Sequence, residues 1–179
     1  MAKRQLQKPM IMTIGHSTRT LSEFVELLHA SKVKLLVDIR TIPKSRTNPQ
    51  FNMDTLGEDL KGEKIEYIHM PELGGLRHPK ANSLNTIWLN DSFRGYADYM
   101  ETEQFNAGVD RLLKLAEKKP LAIMCSEAVW WRCHRSMVAD ELVARGFPVF
   151  HIMGPKQQSH TLRSFAHEEN GHVSYRTAR

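Results

Sequence analysis

The stretch Leu121-Ala-Ile-Met-Cys125-Ser-Glu127-Ala-Val-Trp-Trp-Arg-Cys133-His134-Arg135 decides how the rest of this chain is read. Its apolar start, placed directly after Pro120, reads as a strand over about Leu121 to Met124, buried on both faces. The residues from near Arg132 to Arg145 read as the following helix, with Gly146 as its terminator. A strand that runs into a helix with thiol, carboxylate, imidazole and guanidinium groups at the junction has the layout of an α/β site. Such proteins hold ligands at the carboxyl ends of parallel strands and at helix N-termini.

Outward from this junction the pattern repeats. Met10-Ile-Met-Thr-Ile-Gly15 reads as a first strand, and Thr20-Leu-Ser-Glu23 is a capping box that opens a helix with Leu21, Phe24, Val25 and Leu28 on one face. Leu35-Leu-Val-Asp-Ile39 is a second strand, a short helix is expected near Asp54 to Lys61, and Ile65-Glu-Tyr-Ile-His69 is a third strand. Two helical segments follow a long connection from Met70 to Asn90, and the second sets Phe105, Val109, Leu112, Leu113 and Ala116 at core-facing spacing. Pro148-Val-Phe-His-Ile152 closes the series as a fifth strand. Strands that alternate with helices imply right-handed crossovers. The expected fold is therefore α/β, a Rossmann-like three-layer sandwich around a mostly parallel five-stranded sheet.

The chain has 179 residues, 41% hydrophobic and 25% charged, which fits a single domain with a core over about residues 10–153. Residues 154–179 are polar and read as a peripheral segment that packs as a helix or frays. The formal charge of +5 favours anionic partners, yet the only dense basic block is Met1-Ala-Lys-Arg4. Two cysteines, with no signal-peptide pattern and no long apolar span, point to a cytoplasmic protein with no membrane partner.

Reading the predicted strand ends together gives His16 and Ser17 after the first, Asp38 and Arg40 after the second, Glu72 and Arg77 after the third, and Cys125 with Glu127 after the fourth. In a parallel sheet these segments converge on one edge. Asp38, at a strand end where a lone carboxylate is costly, is expected to pair with Arg40, Arg46 or a ring nitrogen. The loop around Arg46 is stiffened by Pro43 and Pro49 and is expected to present that arginine to an anion. The loops over 40–53 and 70–90 are long enough to serve as lids or binding loops.

Cys133, at a helix N-terminus beside His134, Arg132 and Arg135, has the setting that lowers a thiol pKa from about 8.5 into the range of roughly 3.5–7.5. Zinc is disfavoured, because the seven residues between Cys125 and Cys133 match none of its usual spacings, so no metal is expected. The Cys-x5-Arg loop of phosphatases and rhodaneses is also missing, since six residues separate Cys125 from Arg132 and they include bulky Trp130 and Trp131. No Walker or dinucleotide fingerprint occurs, and no cofactor is expected. At least one of the adjacent tryptophans is expected to face away from the core, and Phe93-Arg-Gly-Tyr-Ala-Asp98 to form a short helix over the pocket. His69, His151, His160, His167 and His172 read as isolated.

Several of these motifs together resemble the family called domain of unknown function 488. The likeness rests on Thr13-Ile-Gly-His-Ser17, Val37-Asp-Ile-Arg40 with Pro43, Arg46, Pro49 and Phe51, His69-Met-Pro-Glu-Leu-Gly-Gly75, and Cys125-Ser-Glu127 with Cys133-His-Arg135. Phe93-Arg-Gly-Tyr-Ala-Asp98 and Glu127-Ala-Val-Trp-Trp-Arg-Cys133-His-Arg135 are similar to one bacterial subgroup of it. The resemblance implies a compact α/β fold with a polar pocket built from these segments, and no settled reaction.

The residues point to an enzyme, a hydrolase or a transferase, acting on a small anionic or phosphorylated molecule, nucleotide-like molecules among them. Arg40, Arg46, Arg77 and Arg135 would hold charge, with Ser17, Asp38 and Glu72 beside them. Glu127, His16 or His134 would move protons, and Cys125 or Cys133 would be the nucleophile. The alternatives are a nucleic-acid-binding module that uses the basic surface with Trp130 or Trp131, and a thiol redox sensor that uses both cysteines.

Overall fold

Each apolar run flagged in the sequence forms a strand in the computed structural model, which describes residues 7–177; the Met1-Ala-Lys-Arg4 block lies outside the described residues. In chain order the elements are β1 (Ile11–Gly15), α1 (Leu21–Ala30), β2 (Leu35–Asp38), α2 (Met53–Gly62), β3 (Glu66–His69), α3 (Asp91–Met100), α4 (Glu103–Lys118), β4 (Leu121–Cys125), α5 (Arg135–Ala144), β5 (Val149–Ile152), β6 (Gln157–Ser159), β7 (His167–Glu169) and β8 (His172–Ser174). Short 3₁₀ turns lie at Pro49–Phe51, Pro71–Leu73 and Trp130–Arg132. α1 begins at the expected capping box, where the Thr20 hydroxyl accepts from the Glu23 amide and the Glu23 carboxylate accepts from the Thr20 amide.

The main sheet runs β3-β2-β4-β1-β5-β6, with β6 antiparallel to β5 and the other neighbouring pairs parallel. Six strands replace the five expected. Gln157-Gln-Ser159 is exposed throughout, so neither alternation nor an apolar run marks it as a strand. Among the described residues the segment after Gly154 is likewise not a helix. It supplies β6 and the β7–β8 hairpin, and it returns Val173 and Tyr175 to the core, which therefore extends past residue 153.

Successive side chains on each strand alternate between two apolar clusters. Ile11, Val37 and Ile123 pack with Tyr96, Val109 and Val138 from α3, α4 and α5. Met12, Leu36 and Ala122 pack on the opposite face with Phe24, Leu28 and Leu60 from α1 and α2. Each such Leu, Ile or Phe contributes about 1.5–3 kcal/mol by leaving water. That double covering explains why these strands read as unbroken apolar runs. α1 carries the chain from β1 past the place of β4 to β2, whereas α5 carries it from β4 past β1 to β5. β1 and β4 are adjacent, so the crossovers part between them, and the chain just beyond their carboxyl ends is left uncovered by either. Among the described residues no helix is long and apolar enough to cross a membrane.

Candidate functional site

A pocket of ≈ 460 Å³ opens at the carboxyl ends of β2 and β4, lined by Arg40 and Ile42, by Gly75 and Leu76, by Phe93 and Tyr96 of α3, and by Cys125, Glu127, Arg132, Cys133 and His134. Both long loops therefore reach it, and a hydrogen bond from the Thr41 hydroxyl to the Gly75 carbonyl at 2.7 Å joins them at its edge. α3 forms one wall, as its aromatic sequence suggested.

The floor is built by close approach of β1, β4 and the start of α5. A Cβ on Gly15 would sit 1.7 Å from the Glu127 carbonyl oxygen, so only glycine lets the 126–128 loop lie against β1. That carbonyl accepts from Arg135 Nη1 at 2.6 Å, and the Ala128 carbonyl accepts from Nη2 at 3.2 Å. Arg135 Nη1 also lies 2.7 Å from Cys125 Sγ, and Nε donates to the Thr13 hydroxyl at 3.2 Å. Arg135 is fully buried, and among the described residues none of the ion pairs includes it. A buried guanidinium stays charged and needs a counter-charge, and the groups against it that can supply one are the two thiols.

Cys133 follows the 3₁₀ turn and precedes α5, with its Sγ 3.5 Å from the Arg135 backbone N–H. Burial raises its pKa, but the Cys125 thiol, the Arg135 guanidinium and the Arg135 backbone N–H outweigh burial and leave it below the ordinary thiol value. Cys125 is pushed the other way, well above the ordinary value, by burial and by the neighbouring Cys133 sulfur. The shifts set the two sulfurs apart: Cys133 is the one more readily deprotonated, and Cys125 the one held as a thiol. Both cysteines are free.

His134 Nδ1 lies 3.6 Å from Cys133 Sγ, and its Nε2 donates to the Ile39 carbonyl at 3.0 Å. A carbonyl only accepts, so the ring proton is on Nε2 and the Nδ1 lone pair faces the sulfur. Burial holds the His134 pKa below 6.5 and keeps the ring neutral. Gly75 packs against the ring: a Cβ there would be 3.1 Å from Nδ1.

The second predicted cluster is arranged differently. Asp38 is fully buried and takes Arg40 in a bidentate grip, from Nε at 2.9 Å and Nη2 at 2.6 Å, and Tyr67 donates to it at 2.6 Å. Burial and the carboxylate raise the Tyr67 pKa, which fixes its hydroxyl as a donor. Arg40 Nη1 reaches His16 Nε2 at 3.2 Å, while His16 Nδ1 donates to the Ser17 carbonyl at 2.8 Å. The ring stacks on Phe51 at 4.4 Å and is held neutral by burial. With both nitrogens engaged and no place in the pocket lining, His16 serves as a prop for Arg40 rather than as a free base.

Arg40, Cys125, Glu127, Cys133 and His134 therefore meet at one pocket, and Arg135 lies directly beneath it. Other expected site residues do not line it. Arg46 is exposed on its loop; Glu72 turns to α4, where it pairs with Arg111 at 2.7 Å; Arg77 lies over the Tyr99 ring at 3.7 Å. Ser17 contributes its backbone, donating to the Ser126 carbonyl at 2.9 Å. Sequence reasoning named Arg132 only as a neighbour of Cys133 and left it out of the arginines expected to hold substrate charge, yet it is an exposed cation of the lining. It also passed over His151 and His160, whose ring nitrogens are 2.8 Å apart, with Trp130 stacked on His151 at 4.5 Å. Trp131 is the exposed member of its pair. A larger hollow of ≈ 560 Å³ lies between α3, α4 and the C-terminal hairpin, where Arg176 pairs with Glu101, and His172 with Glu141 of α5.

Residues 20–142 match the family model described as Domain of unknown function DUF488. No curated protein and no solved structure matches the chain.

Proposed function

We propose that this chain, which belongs to the DUF488 family, is a cysteine-dependent hydrolase or transferase acting on a small anionic molecule. Cys133 is the nucleophile in this reading, and His134 the base that accepts its proton. The observation that carries it is the Cys133–His134 contact of 3.6 Å on the pocket floor, with the imidazole oriented by the Ile39 carbonyl. Nucleophile, base and orienting group in series is the general layout of an activated thiol. The helical faces on either side of the sheet are read as a Rossmann-like three-layer sandwich in one domain.

The chemistry balances without a further reagent. The Cys133 sulfur attacks an acyl or phosphoryl centre, a bond from sulfur to that centre forms as the bond to the leaving group breaks, and the proton held by His134 passes to the leaving group. Water, or a second acceptor, then cleaves the new bond, with the Glu127 carboxylate taking its proton and the thiolate restored. Arg132 supplies the exposed positive charge of the pocket, and Arg40 lines it as well. A pocket ringed by loops, with a carboxylate in its lining, suits a small substrate better than a nucleic-acid backbone.

Alkylation with iodoacetamide near pH 6.5, read by peptide mass spectrometry, tests the nucleophile. Cys133 is expected to be modified and Cys125 spared, and the Cys133→Ser variant to lose turnover in a metabolite screen. Modification of Cys125 with Cys133 untouched refutes the assignment. Salt-steep binding of single- or double-stranded nucleic acid without turnover would put the binding-module reading in its place.

A further inference from the structure

Behind the thiol pair a file of buried polar groups leads away from the pocket through the core. Arg135 Nε reaches Thr13 Oγ1 at 3.2 Å, and Thr13 Oγ1 lies 2.6 Å from His151 Nδ1, on the neighbouring strand in register. His151 Nε2 is 2.8 Å from His160 Nδ1, and His160 Nε2 is 2.8 Å from Asp140 Oδ1. Thr13, His151 and Asp140 are fully buried, and His160 nearly so. None of these groups has a role in the steps above.

With Asp140 ionised and both imidazole rings neutral, the hydrogens in this file have one consistent placement. A guanidinium only donates, so Thr13 Oγ1 accepts from Arg135 and turns its own hydrogen to His151 Nδ1. His151 therefore carries its proton on Nε2 and donates to His160 Nδ1. His160 in turn carries its proton on Nε2 and donates to Asp140. Every bond points the same way, so the dipoles reinforce each other and the oxygen lone pair at the near end faces Arg135. The far end is fixed by Asp140, which also accepts from Arg163 Nε at 2.7 Å and from the Tyr175 hydroxyl at 2.7 Å. Trp130 seals the middle, stacked on His151 at an interplanar angle of 2° and edge-on to His160.

We propose that Thr13, His151, His160 and Asp140 form a one-way relay that positions Arg135 against the thiol pair, making Thr13 a positioning residue for the Cys133 nucleophile. The inference rests on the reading of Cys133 given above. Its basis is that the Thr13 hydroxyl holds Nε, while the two loop carbonyls hold Nη1 and Nη2. Without that hydroxyl Nε is left unpaired and only the Nη contacts orient the guanidinium, so its plane tilts and the charge that steadies the thiolate shifts relative to the sulfur. The charged and titratable groups facing Cys133 are Cys125, His134, Arg135 and Glu127, and those facing the relay are Arg135, Arg163 and Tyr175.

The test compares the pH dependence of iodoacetamide labelling at Cys133 in the wild-type protein, Thr13→Val and Thr13→Ser. Thr13→Val keeps the shape and removes the hydroxyl. It is expected to lower labelling at neutral pH by about tenfold, the effect of one pKa unit, while the rate at high pH is retained. Thr13→Ser is expected to follow the wild type. A Thr13→Val profile superimposed on the wild type, even with a lower melting temperature, leaves Thr13 a merely structural residue and overturns the proposal. Should Thr13→Val fail to fold, nitrogen-15 NMR of the unmodified protein still decides: His151 and His160 are both expected as Nε2–H tautomers, and a proton on His151 Nδ1 refutes the relay. A wild type labelled at Cys125 instead would fail the functional reading, while the tautomers would still report on the relay.

Discussion

Two arginines are buried at the same edge of the sheet, and they are satisfied in opposite ways. Arg40 is gripped by the Asp38 carboxylate through Nε and Nη2, and that carboxylate also accepts from Tyr67. Arg135 is held by two backbone carbonyls, a threonine hydroxyl and a cysteine sulfur, with no carboxylate at ion-pair distance among the described residues. A guanidinium closed by a carboxylate has little left to offer chemistry, and it serves to order a wall. A guanidinium whose counter-charge must come from a thiol makes that thiol easier to ionise. On the proposed function, the pocket is structural on its β2 side and reactive on its β4 side.

The largest effects should separate these two roles. Asp38→Ala leaves Arg40 buried and unpaired, and it is expected to cost about 3–5 kcal/mol in urea unfolding. Arg135→Lys keeps a positive charge but cannot reproduce the four contacts. It is expected to cost less, about 1–3 kcal/mol, while slowing Cys133 alkylation at neutral pH by about tenfold or more. If Asp38→Ala slowed labelling as much as Arg135→Lys at equal stability, the division between the two sides of the pocket would collapse.

How far the sequence carried this picture depends on how local the signal was. The strands β1, β2 and β4 were legible because burial on both faces leaves continuous apolar runs, and α1 because its capping box lies within four residues. That Cys133 and His134 would share a pocket with Cys125 and Glu127 was legible because all four lie within ten residues of one strand-to-helix junction. The relay was not. Thr13, Asp140, His151 and His160 come from β1, α5, β5 and the segment after β6, and no spacing in the chain says that they touch. Glu72 and Arg77 misled for the related reason that a charged pair beside two glycines reads as a binding loop. Here Arg77 instead stacks on Tyr99 and donates to the Gly74 and Pro71 carbonyls, bracing the loop that holds Gly75 to His134.

A second prediction sharpens the comparison through pH. Burial first, and then the neighbouring His160 and Arg135, lower the His151 pKa to about 3 from an ordinary 6.5. Between those values the unfolded chain binds a proton at this residue and the folded chain does not, so acid favours unfolding. The stabilisation is fully present above pH 6.5 and is lost as the pH falls toward 3, with a slope of up to about 1.4 kcal/mol per pH unit for this one group. Burial shifts His16 and His134 in the same direction, and they add to the slope in the upper part of that window. His151→Leu is expected to be less stable at neutral pH and to show a shallower fall between pH 6 and 4. Curves for the variant and the wild type that run parallel across that range would mean that His151 is already charged in the folded protein.

The smallest expected effect is at Arg46, and it bears on how the pocket receives an anion. Arg46 is exposed, lies outside the pocket lining, and sits on a loop anchored elsewhere by Phe51 packed on His16 and by the Ser45 amide bonded to Asn52. Replacing an exposed side chain of this kind changes stability by no more than about 0.5 kcal/mol. Arg46→Ala should therefore leave both unfolding and Cys133 labelling as in the wild type, whereas Arg132→Ala, at the pocket itself, should weaken labelling by the anionic reagent iodoacetate more than by neutral iodoacetamide. The ratio of the two reagents isolates charge from access, because they differ chiefly in the carboxylate. An Arg46→Ala variant that lost the iodoacetate preference would show that the 40–53 loop folds over the pocket when an anion arrives, adding a third arginine to the two that are buried.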